Sequence, residues 1–327
     1  MGTKMIVWIW IISLVIMPSA FRGPAAQEAF PTKPINLLVG FPPGGVADIT
    51  ARSYAPGASK LFGQPVVIVN KPGAGGTLAI DFVSGSKPDG YTLIDAGLST
   101  LAYGMHTQGV SWGPRDFTLI LGHTLYNYAV VIRSDAPWKS FDEWVQYVKQ
   151  NPGFKYGTYG ALGTMHIMME WLGKRLGLKL TPIHFPGDAP GITSLLGGHI
   201  QAQLVAGGHA SFIRAGKLRT LLQVTSEPVD SEPPTVARLK EVLPDAPMEV
   251  VGLPRGIFGP KGIPDAMQSK LNEILKKATV ENPDFIQPHK MMNMNVEYHG
   301  PKELQQSLIL AYENFGKLMK NLGLERK

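Results

Sequence analysis

INLLVGFPPGGVADITARSYA, Ile35 to Ala55, passes from an apolar run through a proline- and glycine-rich turn into a helical pattern. A strand, a tight turn and a helix start in that order make an anion-binding element. The first N–H groups of a helix have no internal partner and carry the positive end of its dipole. A nucleotide cradle would need Lys-Ser/Thr after its last glycine, or a third glycine in G-x-G-x-x-G. Val46-Ala47 follow instead. A small anion such as a carboxylate is the better fit.

The theme repeats on both sides. PVVIVN (Pro65–Asn70) precedes KPGAGGT and a helix from about Leu78 to Ser84, and YTLIDAG (Tyr91–Gly97) precedes another helix. This β-α-β-α-β series predicts a parallel sheet with helices on both faces. Pro56 and Gly57 fall inside the first helix, about Val46–Phe62, and are expected to kink or shorten it.

YAVVIRS (Tyr128–Ser134) reads as a further strand. Ser140 and Glu143 then form a capping-box pattern, and Phe141, Trp144, Val145 and Val148 share one helix face, with Gly153 beyond the end. Phe154–Tyr159 is a strand leading into GALGTMH and a helix over Ile167–Leu176. LTPIHF, IQAQLVAG and LRTLLQVTS are more strands. The tail, with GLPRGIFGPKGIP and two helices, has too few strands for a third unit and is expected to return to the first. The fold class is α/β with two doubly wound domains: 30–125 plus 248–327, and 126–247. The chain is expected to cross between them near 122–128 and 246–256.

The 327 residues hold 44% hydrophobic and 17% charged side chains, the balance of a core-forming chain. The net charge of +6 is not gathered into a like-charge block, so no nucleic-acid partner is expected. Without cysteine there is no disulfide, thiolate metal site or thiol nucleophile. Lys4, the apolar run Met5–Met17 and a small-residue zone up to Ala25 form a signal-peptide pattern, 1–25, with a membrane anchor as the alternative. The run is short of the roughly 20 residues that span a bilayer.

Several glycine-rich loops end strands and open helices: FPPGG, KPGAGG, YGALGT and FPGDAPG. In open α/β sheets that is where ligands bind. H-E-x-x-H and G-x-S-x-G do not occur, and no catalytic residue, metal or cofactor is expected. His166 closes GALGTMH, either as a ligand contact or as a helix-start histidine with a local hydrogen bond. Asp48 either fixes its loop, binds an amine, or is a first-turn carboxylate favoured by the helix dipole. His184, inside a strand, and the stripe Met165, Met168, Met169 and Trp171 read as core.

PTKPINLLVGFPPGGVADITAR, GQPVVIVNKPGAGG, KPDGYTL, SLLGGHIQ, IRAGKLRTL and FGPKGIP occur in this order. Together they resemble the substrate-binding proteins of tripartite tricarboxylate transporters, the Bug family, from about Phe30 to Gly323. The resemblance implies a monomeric periplasmic binding protein of type II with a hinged cleft. It would deliver a small carboxylate to the membrane carrier subunits. Carried over by motif, the ligand-binding candidates are Phe41, Pro42, Gly44, Gly45, Asp48, Ser99, Thr100, Tyr159, Gly160, Ala161, Gly163, Thr164, His166, Asp188, Ala189 and Pro190.

The departures from the family pattern also matter. Tyr159, Ala161, Leu162 and Met165 stand where relatives are often polar. Gln201 and Ala206-Gly207 replace Asp and Asp-Asn, and Pro254-Arg255 replaces an aromatic pair. This implies a ligand with an apolar or aromatic body and one or two carboxylates, rather than citrate or an amino acid. Arg255 would add a cation to the cleft. A ligand-sensing partner of a membrane kinase and an exported hydrolase are the competing readings.

Overall fold

The structure, a computed structural model, describes residues 30–225 and 235–324, together with Gly2. Apart from Gly2, the expected signal peptide 1–25 lies outside the described residues.

The first sheet begins with β1 (Ile35–Val39), α1 (Val46–Phe62), β2 (Val66–Asn70), α2 (Thr77–Ser84), β3 (Thr92–Gly97) and α3 (Leu98–Thr107). β1 lies between β2 and β3 and pairs with both in parallel. β4 (Phe117–Tyr126) follows, and Asn127 alone links it to β5 (Tyr128–Arg133) in the second sheet. That sheet continues with α4 (Phe141–Gln150), β6 (Phe154–Tyr159), α5 (Thr164–Leu176), β7 (Leu180–Phe185), α6 (Asp188–Leu196), β8 (Ala202–Val205), α7 (Ala210–Arg214) and β9 (Leu218–Val224). After β10 (Ala237–Arg238) and α8 (Leu239–Val242) the chain returns through β11 (Pro254–Pro260), α9 (Asp265–Ala278), α10 (Pro283–Met291), β12 (Met294–His299) and α11 (Pro301–Leu322).

The two six-stranded sheets have the orders β12-β4-β11-β3-β1-β2 and β10-β9-β5-β8-β6-β7. The series β2-β1-β3 is parallel as expected, and the later strands make both sheets mixed. β11 inserts antiparallel between β3 and β4, β12 is antiparallel to β4, and β5 is antiparallel to β8 and β9. The tail therefore completes the first sheet from its middle. Both sheets share one local topology. β1 and β6 each have the next strand on one side and the one after it on the other. Their carboxyl ends are topological switch points, where open α/β sheets form a crevice.

The helix over Val46–Phe62 runs through Pro56 without ending. In α4, the Ser140 side chain accepts from the Glu143 N–H at 3.1 Å. Glu143 reaches one residue further back than a capping box requires, accepting from the Lys139 N–H at 2.7 Å. Phe141, Trp144, Val145 and Val148 are buried there, each contributing roughly 1.5–3 kcal/mol of apolar transfer. One buried cluster, from Leu38 and Ile94 to Val130 and Leu204, runs through both sheets. Two smaller clusters fill the opposite faces. Met165, Met168 and Met169 are buried in the larger cluster, and Trp171 is partly buried against it. His184 is exposed on the edge strand β7, not in the core, because β7 has a neighbour on one side only.

Candidate functional site

Between the sheets lies a cavity of about 440 Å³. It opens at the carboxyl ends of β1, β3, β6 and β7. Phe41, Pro42, Gly44, Gly45, Ser99, Thr100, Tyr159, Gly163, Thr164, Asp188, Ala189 and Pro190 border it. Asp48, Gly160, Ala161 and His166 do not border it, and neither does Gln201.

Four helices begin at its wall: α1, α3, α5 and α6. Their N-caps are Gly45, Gly97, Gly163 and Gly187, all extended, and none supplies a side-chain cap. A Ser, Thr, Asp or Asn at these positions would take up first-turn N–H groups. Glycine leaves them to whatever occupies the cavity. The positive ends of four helix dipoles thus converge, each worth about 0.3–2 kcal/mol for a facing anion. The Thr164 hydroxyl is buried without a partner on the same wall.

The FPPGG loop is held from behind. Asp48 accepts from the Gly44 N–H and the Arg52 Nε, each at 2.9 Å, and from the Asn70 amide at 2.8 Å. Asn70 also donates to the Phe41 carbonyl at 3.0 Å. Burial opposes the Asp48 charge, but Arg52, Gly44 and Asn70 outweigh it and hold the carboxyl below its usual range. Asp48 therefore fixes the loop. Gly44 borders the cavity at a φ of +78°, and its N–H is committed to Asp48.

The opposing YGALGT loop occupies the equivalent place after β6. Leu162 sits at φ +59°, and its N–H donates to His166 Nδ1 at 2.9 Å. His166 thus makes the local bond and supports a left-handed residue. The two loops meet where the Phe41 and Tyr159 rings pack edge to face at 5.9 Å.

Tyr103, Tyr126, Tyr128 and Arg255 complete the wall. Of these, only Arg255 stood out in the sequence. Tyr126 and Tyr128 flank the one-residue crossing at Asn127, and their i, i+2 spacing is a signal that could have pointed to a shared face. The Tyr103 hydroxyl donates to the Gly75 carbonyl at 2.6 Å and ties the KPGAGG loop to this wall.

Arg255 does not supply an unmatched cation. Its Nε lies 2.7 Å from Asp95 Oδ1, and both side chains are buried. Nη1 donates to the Tyr126 hydroxyl at 3.0 Å and Nη2 to the Asp95 carbonyl at 2.7 Å. The Asp95 carboxylate also accepts from the Tyr54 hydroxyl at 2.7 Å. Burial opposes ionisation of Asp95, yet Arg255 and His123 hold its carboxyl low.

Asp188 differs. Burial pushes its carboxyl up to about 7, although the Ala206 N–H donates to it at 3.2 Å. His166 and His289 are lowered to about 4, first by burial. The signs oppose. Unfolded histidines protonate near 6.5, so the two imidazoles cost stability as pH falls from there toward 4. A carboxyl raised in the fold costs stability as pH rises toward 7 and above. Asp188→Asn is therefore expected to be more stable than the parent at pH 8, by up to about 4 kcal/mol, with the gap closing near pH 4. Urea unfolding across that range checks it, and equal stability at pH 8 would refute it.

Among the described residues no group of three or more His, Cys, Asp or Glu could hold a metal, and no helix is long and apolar enough to cross a membrane.

A family model described as the tripartite tricarboxylate transporter family receptor matches residues 50–324. The chain belongs to this family. A relative from Cupriavidus necator is 31% identical to this receptor over 314 residues, covering 94% of this chain and 93% of its own. BugT of Bordetella pertussis is 31% identical over 237 residues, 70% and 72% of the two chains. Among solved structures, the periplasmic binding protein BugD superposes with a TM-score of 0.82 at 26% identity, covering 91% of this chain and all of its own. MatC from Rhodopseudomonas palustris, solved with bound malate, superposes at 0.79 with 26% identity, over 88% and 99%. The architecture is that of periplasmic binding proteins of this receptor type.

Proposed function

We propose that this receptor captures a small organic acid, a mono- or dicarboxylate with an apolar or aromatic body, in the cavity between its sheets. It releases the acid to the membrane carrier subunits of a tripartite tricarboxylate-type transporter. The site is periplasmic, and the leader 1–25 is removed near Ala25. The observation that carries this reading is the convergence of four helix starts with glycine N-caps on one cavity. Fixed N–H donors suit a carboxylate, and the rings of Phe41, Tyr103, Tyr126, Tyr128 and Tyr159 suit an apolar body. The malate-bound neighbour is consistent with an acid as ligand.

The two lobes, 30–125 with 248–327 and 126–247, close around the ligand by rotating at Asn127 and at the return toward Pro254. Closure is the signal that the carrier reads. The edge contact of Phe41 with Tyr159 and the approach of Gly75 to Gly160 are where the lobes meet on one side of the cavity.

Thermal-shift screening followed by titration calorimetry tests the reading. Aromatic and apolar-bodied carboxylates should raise the melting temperature by several degrees. Stabilisation by citrate or aspartate with none by aromatic acids would overturn the assigned body, and no response to any acid would overturn carboxylate capture.

A further inference from the structure

Asp188 stands apart from every other polar group on the cavity wall. The wall otherwise offers donors: the starts of α1, α3, α5 and α6, and the hydroxyls of Ser99, Thr100 and Thr164. Asp188 is a carboxylate in their midst. It is 8% exposed, and one oxygen accepts from the Ala206 N–H at 3.2 Å. The other, Oδ1, is buried with no hydrogen-bond partner. Among the described residues no cation forms an ion pair with it, in contrast to Asp48 with Arg52 and Asp95 with Arg255. Its loop neighbours Pro186, Gly187, Ala189 and Pro190 bring no side-chain donor.

A buried acceptor left open is costly, because it has given up its hydration without a replacement. Water or a ligand can repair it, and Asp188 borders the cavity, which can hold either. With Asp188 ionised, as it is above about pH 7, the partner must donate. A second ligand carboxylate placed there would meet like charge at low dielectric.

We infer that Asp188 selects ligands carrying a hydrogen-bond donor, a hydroxyl or an ammonium group, at the end remote from the captured carboxylate. This rests on the carboxylate-capture reading and deepens it. The ligand is bipolar in hydrogen bonding. Its carboxylate accepts from the helix starts, and its far end donates to Asp188 Oδ1. An acid with a hydroxyl or amine at its far end, or a phenolic acid, satisfies both ends, whereas the corresponding plain acid leaves Asp188 open. Sites built to pair a substrate hydroxyl discriminate strongly against the analogue lacking it, because the protein group is then stranded.

Matched acids read this directly by calorimetry on the full mature receptor. Suitable pairs are hexanoate with 6-hydroxyhexanoate, 3-phenylpropionate with 3-(4-hydroxyphenyl)propionate, and butyrate with 4-aminobutyrate. In at least one pair the donor-bearing member should bind tenfold or more tightly than its partner. Asp188→Ala should reduce that ratio to about twofold. Asp188→Asn keeps the shape and adds a donor of its own, so it should also narrow the ratio and bind the plain acid more tightly than the parent does. It serves if the alanine variant fails to fold, which circular dichroism reports. Equal binding within every pair, or a ratio unchanged in both variants, overturns the role of Asp188 and leaves carboxylate capture standing. Binding of none of the six acids overturns both.

Discussion

Gly45→Asp is expected to abolish carboxylate binding, at least a hundredfold, while leaving the fold as stable as before or more so. Gly45 is the N-cap of α1 at φ −77° and ψ 164°, an extended conformation that any residue adopts. A Cβ there would sit 3.4 Å from the Pro42 carbonyl, an ordinary contact. An aspartate at an N-cap accepts from the N–H groups two and three residues on, here Ala47 and Asp48. Its charge also lies on the positive end of the dipole. The side chain would occupy the place prepared for the ligand carboxylate, and helix capping would stabilise by a few tenths of a kcal/mol over glycine. Affinity and stability thus move in opposite directions, which a general disruption cannot produce. Gly45→Ala adds the same Cβ without the carboxylate and should retain binding within a few fold. Calorimetry with an acid bound by the parent, alongside urea unfolding, decides it. If the aspartate variant binds as well as the alanine variant, the start of α1 is not the carboxylate site.

Arg255→Met is expected to cost about 3–5 kcal/mol of stability, the usual penalty for stranding one member of a buried ion pair. Asp95 is fully buried, and without Arg255 its charge would fall to Tyr54 and His123, which lie against it. Asp95→Asn combined with Arg255→Met removes both charges and should recover most of the loss, because well-packed neutral residues often replace a buried pair at little net cost. The pair also reaches the binding wall. Arg255 Nη2 lies 3.5 Å from the Ala47 carbonyl in the first turn of α1, and Nη1 holds the Tyr126 hydroxyl. The double variant should therefore fold well yet bind less tightly. Urea midpoints and calorimetry report the two effects separately. A single variant within 1 kcal/mol of the parent would show that Asp95 is neutralised some other way.

The local grammar of this receptor is written in its sequence. An apolar run, a glycine turn and a helical period recur at Ile35, Val66, Phe154 and Leu180, and each became a strand running into a helix or a short helical turn. The N-cap glycines could be read as loop residues because glycine before a helical pattern is a local signal. The pairing of β11 between β3 and β4 could not. Phe117–Tyr126 and Pro254–Pro260 are more than a hundred residues apart, and neither says which edge it will meet. Within the crossing expected near 122–128, nothing in the sequence picks out the single residue Asn127 as the link between β4 and β5.

Asp48 and Asp188 mark the boundary most plainly. Each is a first-turn carboxylate after a loop glycine, Asp48 three residues past Gly45 and Asp188 directly past Gly187. Asp48 has a local partner in Arg52, one turn on in the same helix, and a distant one in Asn70, brought to it by β2; together they saturate its oxygens and make it a loop brace. Asp188 receives only the Ala206 N–H and faces the cavity with one oxygen open. Chain-local chemistry determined that both would sit at helix starts. Asp48 is consumed partly by its own helix, through Arg52, and partly by Asn70 on the neighbouring strand; that Asp188 keeps one oxygen open toward the cavity is decided only by the folded structure.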